Sequence, residues 1–182
     1  ITTKEQYSRF VIKELNQYIN TDYVLMIQYD GFIINPDAWT DEFLKYDYIG
    51  AKWHWYHDGF NVGNGGFSLR SKRLMQALSD ESINASSVEF GEDTLICRTY
   101  RSLLENKYGI KFAPENIADR FSCERSGFTG DHPFGFHGLF NIWRYIKSEY
   151  LSEFINNLSP RTLGSIEALE LGMNYHNAGQ LK

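Results

Sequence analysis

The stretch YVLMIQYDG, Tyr23 to Gly31, decides the fold. From Tyr23 to Gln28 it is an apolar run of strand length without polar alternation, the pattern of a strand covered on both faces in an α/β sheet. The run stops at Asp30-Gly31, two residue types that favour turns. In open α/β sheets ligands collect at the carboxyl ends of strands. Asp30 is therefore either an ordinary turn residue or an acid placed to hold a metal or a ribose.

The sequence on either side extends this reading. Upstream, Thr3 and Gln6 form a capping box, and Tyr7, Phe10, Val11, Leu15, Tyr18 and Ile19 recur at helical spacing, so an amphipathic helix ends near Asn20. Downstream, short strands are expected at Phe32–Ile34 and Tyr48–Ala51, with a helical turn between Pro36 and Tyr46. Trp53 to Val62 has no periodicity and reads as a loop. GGFSLRS reads as a strand, and Ser71 caps a helix over KRLMQAL. After a polar loop from Ser79 to Glu89, EDTLICRTYRSLLENKYG is helical, with acids at its start and Gly109 as its stop. IKFAP is a short strand, Glu115 to Gly138 is irregular, and a helix runs from Leu139 to about Leu158. With no repeat or linker, residues 1–182 read as one α/β domain.

Composition narrows the function. The chain has 182 residues, 42% of them hydrophobic, enough for a full core. A net charge of -5 offers no basic footprint, which disfavours nucleic acid as a partner. Twelve Tyr, 13 Phe and 4 Trp, many of them in polar loop-like sequence, suit a groove for a cyclic ligand. Cys97 and Cys123 lack CxxC spacing, which points to a reducing, cytoplasmic setting without a disulfide framework. No apolar run approaches the roughly 20 residues of a membrane span. The sequence opens at Ile1 directly into a helical pattern, as expected for the C-terminal part of a longer catalytic unit.

Four places could carry chemistry. Glu92 and Asp93 open a helix, where acids are favoured by the dipole, and either could also serve as a general base. His137 lies between small neighbours in FGFHG; as a neutral imidazole it could join oxygen ligands around Mn²⁺ or Mg²⁺. His54, His57 and His132 compete with it. The loop KWHWYHDGF, with Trp53 and Trp55, could stack on a sugar or pack as a cluster. In VGNGGFSLRS, Gly63, Gly65 and Gly66 either shape a turn into the strand or leave room for a ligand beside Asn64.

The order of these signals resembles the GT-A glycosyltransferases, and GNGGFSLRS followed by EDTLIC is similar to fringe-type β-1,3-glycosyltransferases. More closely, QYDGFIINPDAW, YDYIGAKW, VGNGGFSLRS, EDTLICRTYR and FGFHG resemble an uncharacterised family of GT-A-like glycosyltransferases from bacteria and viruses, over Tyr7 to about Phe140. The resemblance implies a GT-A-like mixed sheet flanked by helices, here without the N-terminal nucleoside-binding strands. It also implies a DxD motif binding a divalent cation and the donor diphosphate. Gln28 stands in place of its first acid, which removes one charge from the metal site and leaves an amide able to bond a ribose hydroxyl.

The resulting expectation is a metal-assisted, inverting glycosyltransferase using a nucleotide-sugar donor and a glycan or other hydroxyl acceptor. Gln28, Asp30, Gly31, Asn64, Gly65 and Gly66 would bind the donor, and Trp53 and Trp55 the acceptor. Asp30 and His137 would hold Mn²⁺ or Mg²⁺, with Asp93, or else Glu92, as base. Two rivals stand beside it: a non-catalytic carbohydrate-binding domain derived from such an enzyme, and a metal-dependent hydrolase using Asp30, His132 and His137.

Overall fold

Thr3 caps the first helix by accepting from the Gln6 amide at 3.1 Å, while Gln6 reaches back to the Thr2 amide at 2.8 Å, one residue upstream of the expected partner. The helical run comprises α1, Lys4–Arg9, a π turn at Phe10–Glu14 and a 3-10 turn at Leu15–Tyr18. In this computed structural model, residues 1–85, 91–126 and 132–180 are described. Residues 86–89 of the expected polar loop and 127–131 of the segment read as irregular lie outside them.

β1, Tyr23–Ile27, leads to β2, Phe32–Ile33, and β3, Tyr48–Ile49, with 3-10 turns at Pro36–Ala38 and Asp41–Lys45 between the last two. β4, Phe67–Ser71, runs into α2, Lys72–Leu78. Ser71 is the helix cap its sequence predicts, accepting from the Leu74 amide at 3.0 Å. The EDTLIC segment forms α3, Glu92–Thr94, a π turn at Leu95–Thr99 and α4, Arg101–Tyr108. Gly109 ends it in the left-handed conformation with φ 64°.

The strands divide into two small sheets. β1 and β3 flank β4, both antiparallel to it. β5, Ser122–Cys123, and β6, Gly135–Phe136, join β2 in the order β2-β6-β5, with β6 antiparallel to β2 and parallel to β5. Helices flank both sheets, so the α/β class holds.

The fully covered strand is β4, whose five residues are all buried, and not β1, which is half-buried with Ile27 47% exposed. Among the described residues β1 has a hydrogen-bonded neighbour on one side only, which leaves its apolar side chains partly open. β4 alternates as a strand must. Phe67 and Leu69 face a cluster with Phe43, Ile49, Phe121 and Phe134, while Ser68 and Arg70 lie on the opposite face. That polar face is buried too, because Arg70 meets a carboxylate beneath the sheet.

Three other expectations are corrected. IKFAP contributes a single bridge, Phe112 to Tyr48, in place of a strand. Within the segment read as irregular, α5 spans Glu115–Phe121, entered through the extended Pro114, with Ile117, Ala118 and Phe121 buried at helical spacing. The helix expected from Leu139 to Leu158 is instead two 3-10 turns, Leu139–Arg144 and Ser148–Tyr150, followed by α6, Leu151–Asn156, because Lys147 is extended. α7, Pro160–Leu163, and α8, Ile166–Asn177, follow. Both have serine N-caps, and Pro160 sits at the first helical position, signals legible in the sequence. No described helix is long and apolar enough to cross a membrane.

The two sheets meet where β1 ends. The Gln28 amide donates to the Gly66 carbonyl at 2.8 Å, and the Gly138 amide donates to the Asp30 carbonyl at 3.1 Å. The carboxyl ends of β1 and β6 and the amino end of β4 thus converge.

Candidate functional site

At this junction lies a cavity of about 290 Å³, lined by Gln28, Asn64, Gly66, Glu92, Asp93, Thr94, Glu124 and His137, with Trp53, Trp55 and Tyr56 as one wall and Lys4 at the rim. The parallel pairing of β5 and β6 sets Cys123 opposite Phe136, so the next residues, Glu124 and His137, emerge side by side. Buried Asn141 fixes both turns, donating from Nδ2 to the Glu124 carbonyl at 2.8 Å and the His137 carbonyl at 2.9 Å.

His137 is held between two carboxylates. Its Nε2 lies 3.2 Å from Asp30 Oδ1, and its Nδ1 lies 3.1 Å from Glu124 Oε1 and 3.2 Å from Asn64 Nδ2. Burial opposes a charged ring, but the Asp30 and Glu124 carboxylates outweigh it and raise the imidazole to about 10. At neutral pH the ring is a cation that donates from Nδ1 to Glu124. The Nε2 contact is close but poorly aligned: Asp30 Oδ1 and His137 Nε2 are both buried without a hydrogen-bond partner. The expected convergence of Asp30 and His137 is therefore present, across more than a hundred residues of sequence. Asp30 itself is 4% exposed and sits behind the ring.

The two acids of EDTLIC part ways. Glu92 also borders the cavity but is 4% exposed and is held by the fully buried Arg70, Oε1 to Nη2 at 2.9 Å. Arg70 also donates from Nε to Ser68 Oγ at 3.0 Å and stacks over the Tyr48 ring at 5.3 Å. Asp93 faces the cavity, accepting from the Gly65 amide at 3.2 Å and the Thr94 amide at 2.7 Å. Burial, with the Glu92 charge adding to it, pushes the Asp93 carboxyl up to about 6. A carboxyl titrating near 6 is mostly ionised at neutral pH yet basic enough to take a proton from a hydroxyl. The helix start that supplies this pair needs Gly91, whose φ is 102°.

The glycine-rich segment makes room for protein side chains, which corrects its reading as open space for a donor sugar. A Cβ on Gly66 would lie 2.0 Å from His137 Nε2, one on Gly65 2.5 Å from Glu92 Oε1, and one on Gly63 2.2 Å from the Trp53 ring. Of the three, only Gly66 borders the cavity. Asn64 braces the segment, accepting from the Gly66 amide at 3.1 Å. Gly31, where a Cβ would lie 3.1 Å from the Gly66 carbonyl oxygen, serves the close approach of the two sheets.

Trp53 is 5% exposed and packs in the core, so its ring is a wall rather than an open platform. Trp55 is 48% exposed, with its ring 6.5 Å from that of Trp53. His54 and His57 are exposed on the same loop, outside the cavity. His132 lines a different and larger cleft, about 810 Å³, beside Trp39, and so is separated from the Asp30 and His137 pair. The chemistry marks the smaller cavity, where the buried charges gather.

Glu124 and Arg70 are the members that sequence reasoning missed. Glu124 carries no local signal, since only the pairing of two-residue strands brings it to His137. Arg70 was visible as the polar alternate of FSLRS, opposite an ED pair in need of a cation. Among the described residues no group of three or more His, Cys, Asp or Glu side chains is arranged to hold a metal ion.

The molecule is thus an α/β domain with an acidic, histidine-bearing cavity at the meeting of two small sheets. A family profile described as protein of unknown function (DUF5672) matches residues 1–137, and the chain belongs to that family. The matched segment contains every residue named above as lining the cavity. No curated protein matches the chain.

Proposed function

We propose that this domain transfers a sugar from a nucleotide-diphosphate-sugar donor to a hydroxyl acceptor with inversion, assisted by Mn²⁺ or Mg²⁺. The observation that carries this reading is the Asp93 carboxyl, at about 6, opening into the same cavity as His137 and Glu124, with Asp30 behind the His137 ring. Asp93 takes the proton of the acceptor hydroxyl while its oxygen bonds to the anomeric carbon. The bond from that carbon to the diphosphate breaks, and its electron pair leaves on the diphosphate oxygen. Glu92, neutralised by Arg70, is set aside as base.

The cation rests on the two orphaned atoms. Asp30 Oδ1 and His137 Nε2 lie 3.2 Å apart, close to the roughly 3 Å between neighbouring ligands on an octahedral cation with bonds of about 2.1 Å. Glu124 at Nδ1 is the outer carboxylate that orients a ligating histidine. Asp30 and His137 would hold such a cation, which would supply positive charge beside the donor diphosphate. The acids around the cavity would repel a diphosphate, a charge that a cation held there would offset. Because the free imidazole is protonated, loading must release its proton.

Trp55 offers its exposed ring to the acceptor, and the Gln28 amide offers hydrogen bonds to the donor. The cavity is at the small end of the range of about 300–1,000 Å³ typical of ligand sites, so it suits the reacting sugar, with the nucleoside outside. Cys97 and Cys123 are both free thiols, in keeping with a cytoplasmic location.

Incubation with UDP-, GDP- and dTDP-sugars, Mn²⁺ and a set of glycan acceptors tests the proposal. The expected result is a glycoside product whose rate falls about 10² to 10⁴-fold in Asp93→Asn. Absence of product with donor still bound would favour the non-catalytic carbohydrate-binding reading; free sugar without acceptor would favour hydrolysis.

A further inference from the structure

A second cleft of about 810 Å³, larger than the His137 cavity, lies away from it, and the proposed reaction leaves it without a use. The small sheet β2-β6-β5 connects the two. His132-Pro133 before β6 and Asp119-Arg120 before β5 border the cleft, while Glu124 and His137 after those strands border the cavity. β2 runs the other way, from Asp30-Gly31 towards Asn35 and the cleft. From Pro133 to His137 the chain covers about 13 Å at roughly 3.3 Å per strand residue. The INPDAW half of the QYDGFIINPDAW motif therefore builds a second place on the surface.

One wall of the cleft is the 3-10 turn carrying Asn35, Asp37 and Trp39; the other is the outer face of α5, where Asn116, Asp119 and Arg120 share a side at i, i+3 and i+4. Trp39 is 38% exposed, yet its plane is fixed by Phe43 and Phe134, which meet it at 80° and 64° with ring centroids 5.6 Å and 5.1 Å away. The charges around it are largely matched within the protein. Asp119 accepts from Lys52 at 2.8 Å, and Arg120 donates to Glu42 at 2.7 Å. A fixed, open indole beside planar amides and neutralised charges suits a ligand with an apolar face and a rim of hydroxyls. It gives no strong net field for an ion.

We propose that this cleft binds neutral saccharide, with the sugar ring laid on Trp39 and its hydroxyls bonded to Asn35, Asp37 and Asn116. The site is independent of the transfer reaction and is tested by binding alone. The whole chain is titrated calorimetrically with cellotetraose, maltotetraose, mannotetraose and chitotetraose. At least one should bind with a Kd between about 10 µM and 1 mM, as a shallow site allows. That affinity should weaken tenfold or more in Trp39→Ala and in Asn116→Ala, and stay unchanged in Asp93→Asn. Asn116 is exposed on α5, so its variant keeps the test valid if Trp39→Ala fails to fold. No binding of any of the four, binding kept in Asn116→Ala, or binding lost in Asp93→Asn would each overturn the proposal.

Discussion

Replacing Glu92 by Gln separates a structural acid from a catalytic one. Glu92 supplies the carboxylate paired with Arg70, whose side chain is fully buried with Nη1 lacking any partner. The amide keeps the shape and can still accept a hydrogen bond, but the guanidinium loses its counter-charge in a desolvated place. Breaking a buried pair from one side costs about 3–5 kcal/mol, because the remaining charge is left uncompensated. For a chain of this size each kcal/mol lowers Tm by about 2–4 °C, so a fall of roughly 6–20 °C is expected. Urea and thermal melts followed by circular dichroism read this directly. The double variant Arg70→Met with Glu92→Met should recover much of the loss, since an apolar pair can replace a buried ion pair. With the Glu92 charge gone, the Asp93 carboxyl should ionise at lower pH, and the acid limb of the rate profile should move down with it. A Glu92→Gln variant that melts like the parent but has lost turnover would refute this reasoning and make Glu92 the base.

Three further predictions concern the same cavity. The raised Asp93 carboxyl costs stability once it ionises, so its favourable contribution, full below about pH 4, should be lost as pH rises through 6; Asp93→Asn should remove that slope in melts between pH 4 and 7. The raised His137 imidazole likewise contributes stability that is full below about 6.5 and is lost as pH rises through 10, a slope that His137→Gln should flatten. Gly66→Ala would drive a methyl into the imidazole, turning it away from Asp30 and Glu124, at about 1–3 kcal/mol of overpacking. Its imidazole signals in NMR should then titrate well below 10, and an unchanged titration would show that the ring does not need that space.

The parts of this fold that follow from local chemistry could be read in the sequence. Ser71 and Thr3 cap their helices because their hydroxyls meet amides three residues on, and Gly109 stops a helix by adopting a left-handed turn. The class followed from helices alternating with short apolar strands. What local pattern could not supply was the partner of each strand. β1 looks like an interior strand because an apolar run is the same whether one side or both are paired. β4 looks half-polar, and only the distant Glu92 lets Arg70 be buried in it. The same limit governs the site. Asp30, Asp93 and His137 could be singled out one by one, but Glu124 joins them through two strands of two residues each. The glycines announced a close approach correctly and hid its object: at Gly66 it is His137 that comes close.

The cation and donor site is best probed by a structure of the protein soaked with Mn²⁺ and a nucleoside diphosphate. The expected result is an anomalous peak about 2.0–2.6 Å from both Asp30 Oδ1 and His137 Nε2, with a diphosphate oxygen among the remaining ligands and Glu124 still on Nδ1. A cation bound elsewhere, or a diphosphate seated away from the Asp93 cavity while His137 keeps its place between the two carboxylates, would contradict it.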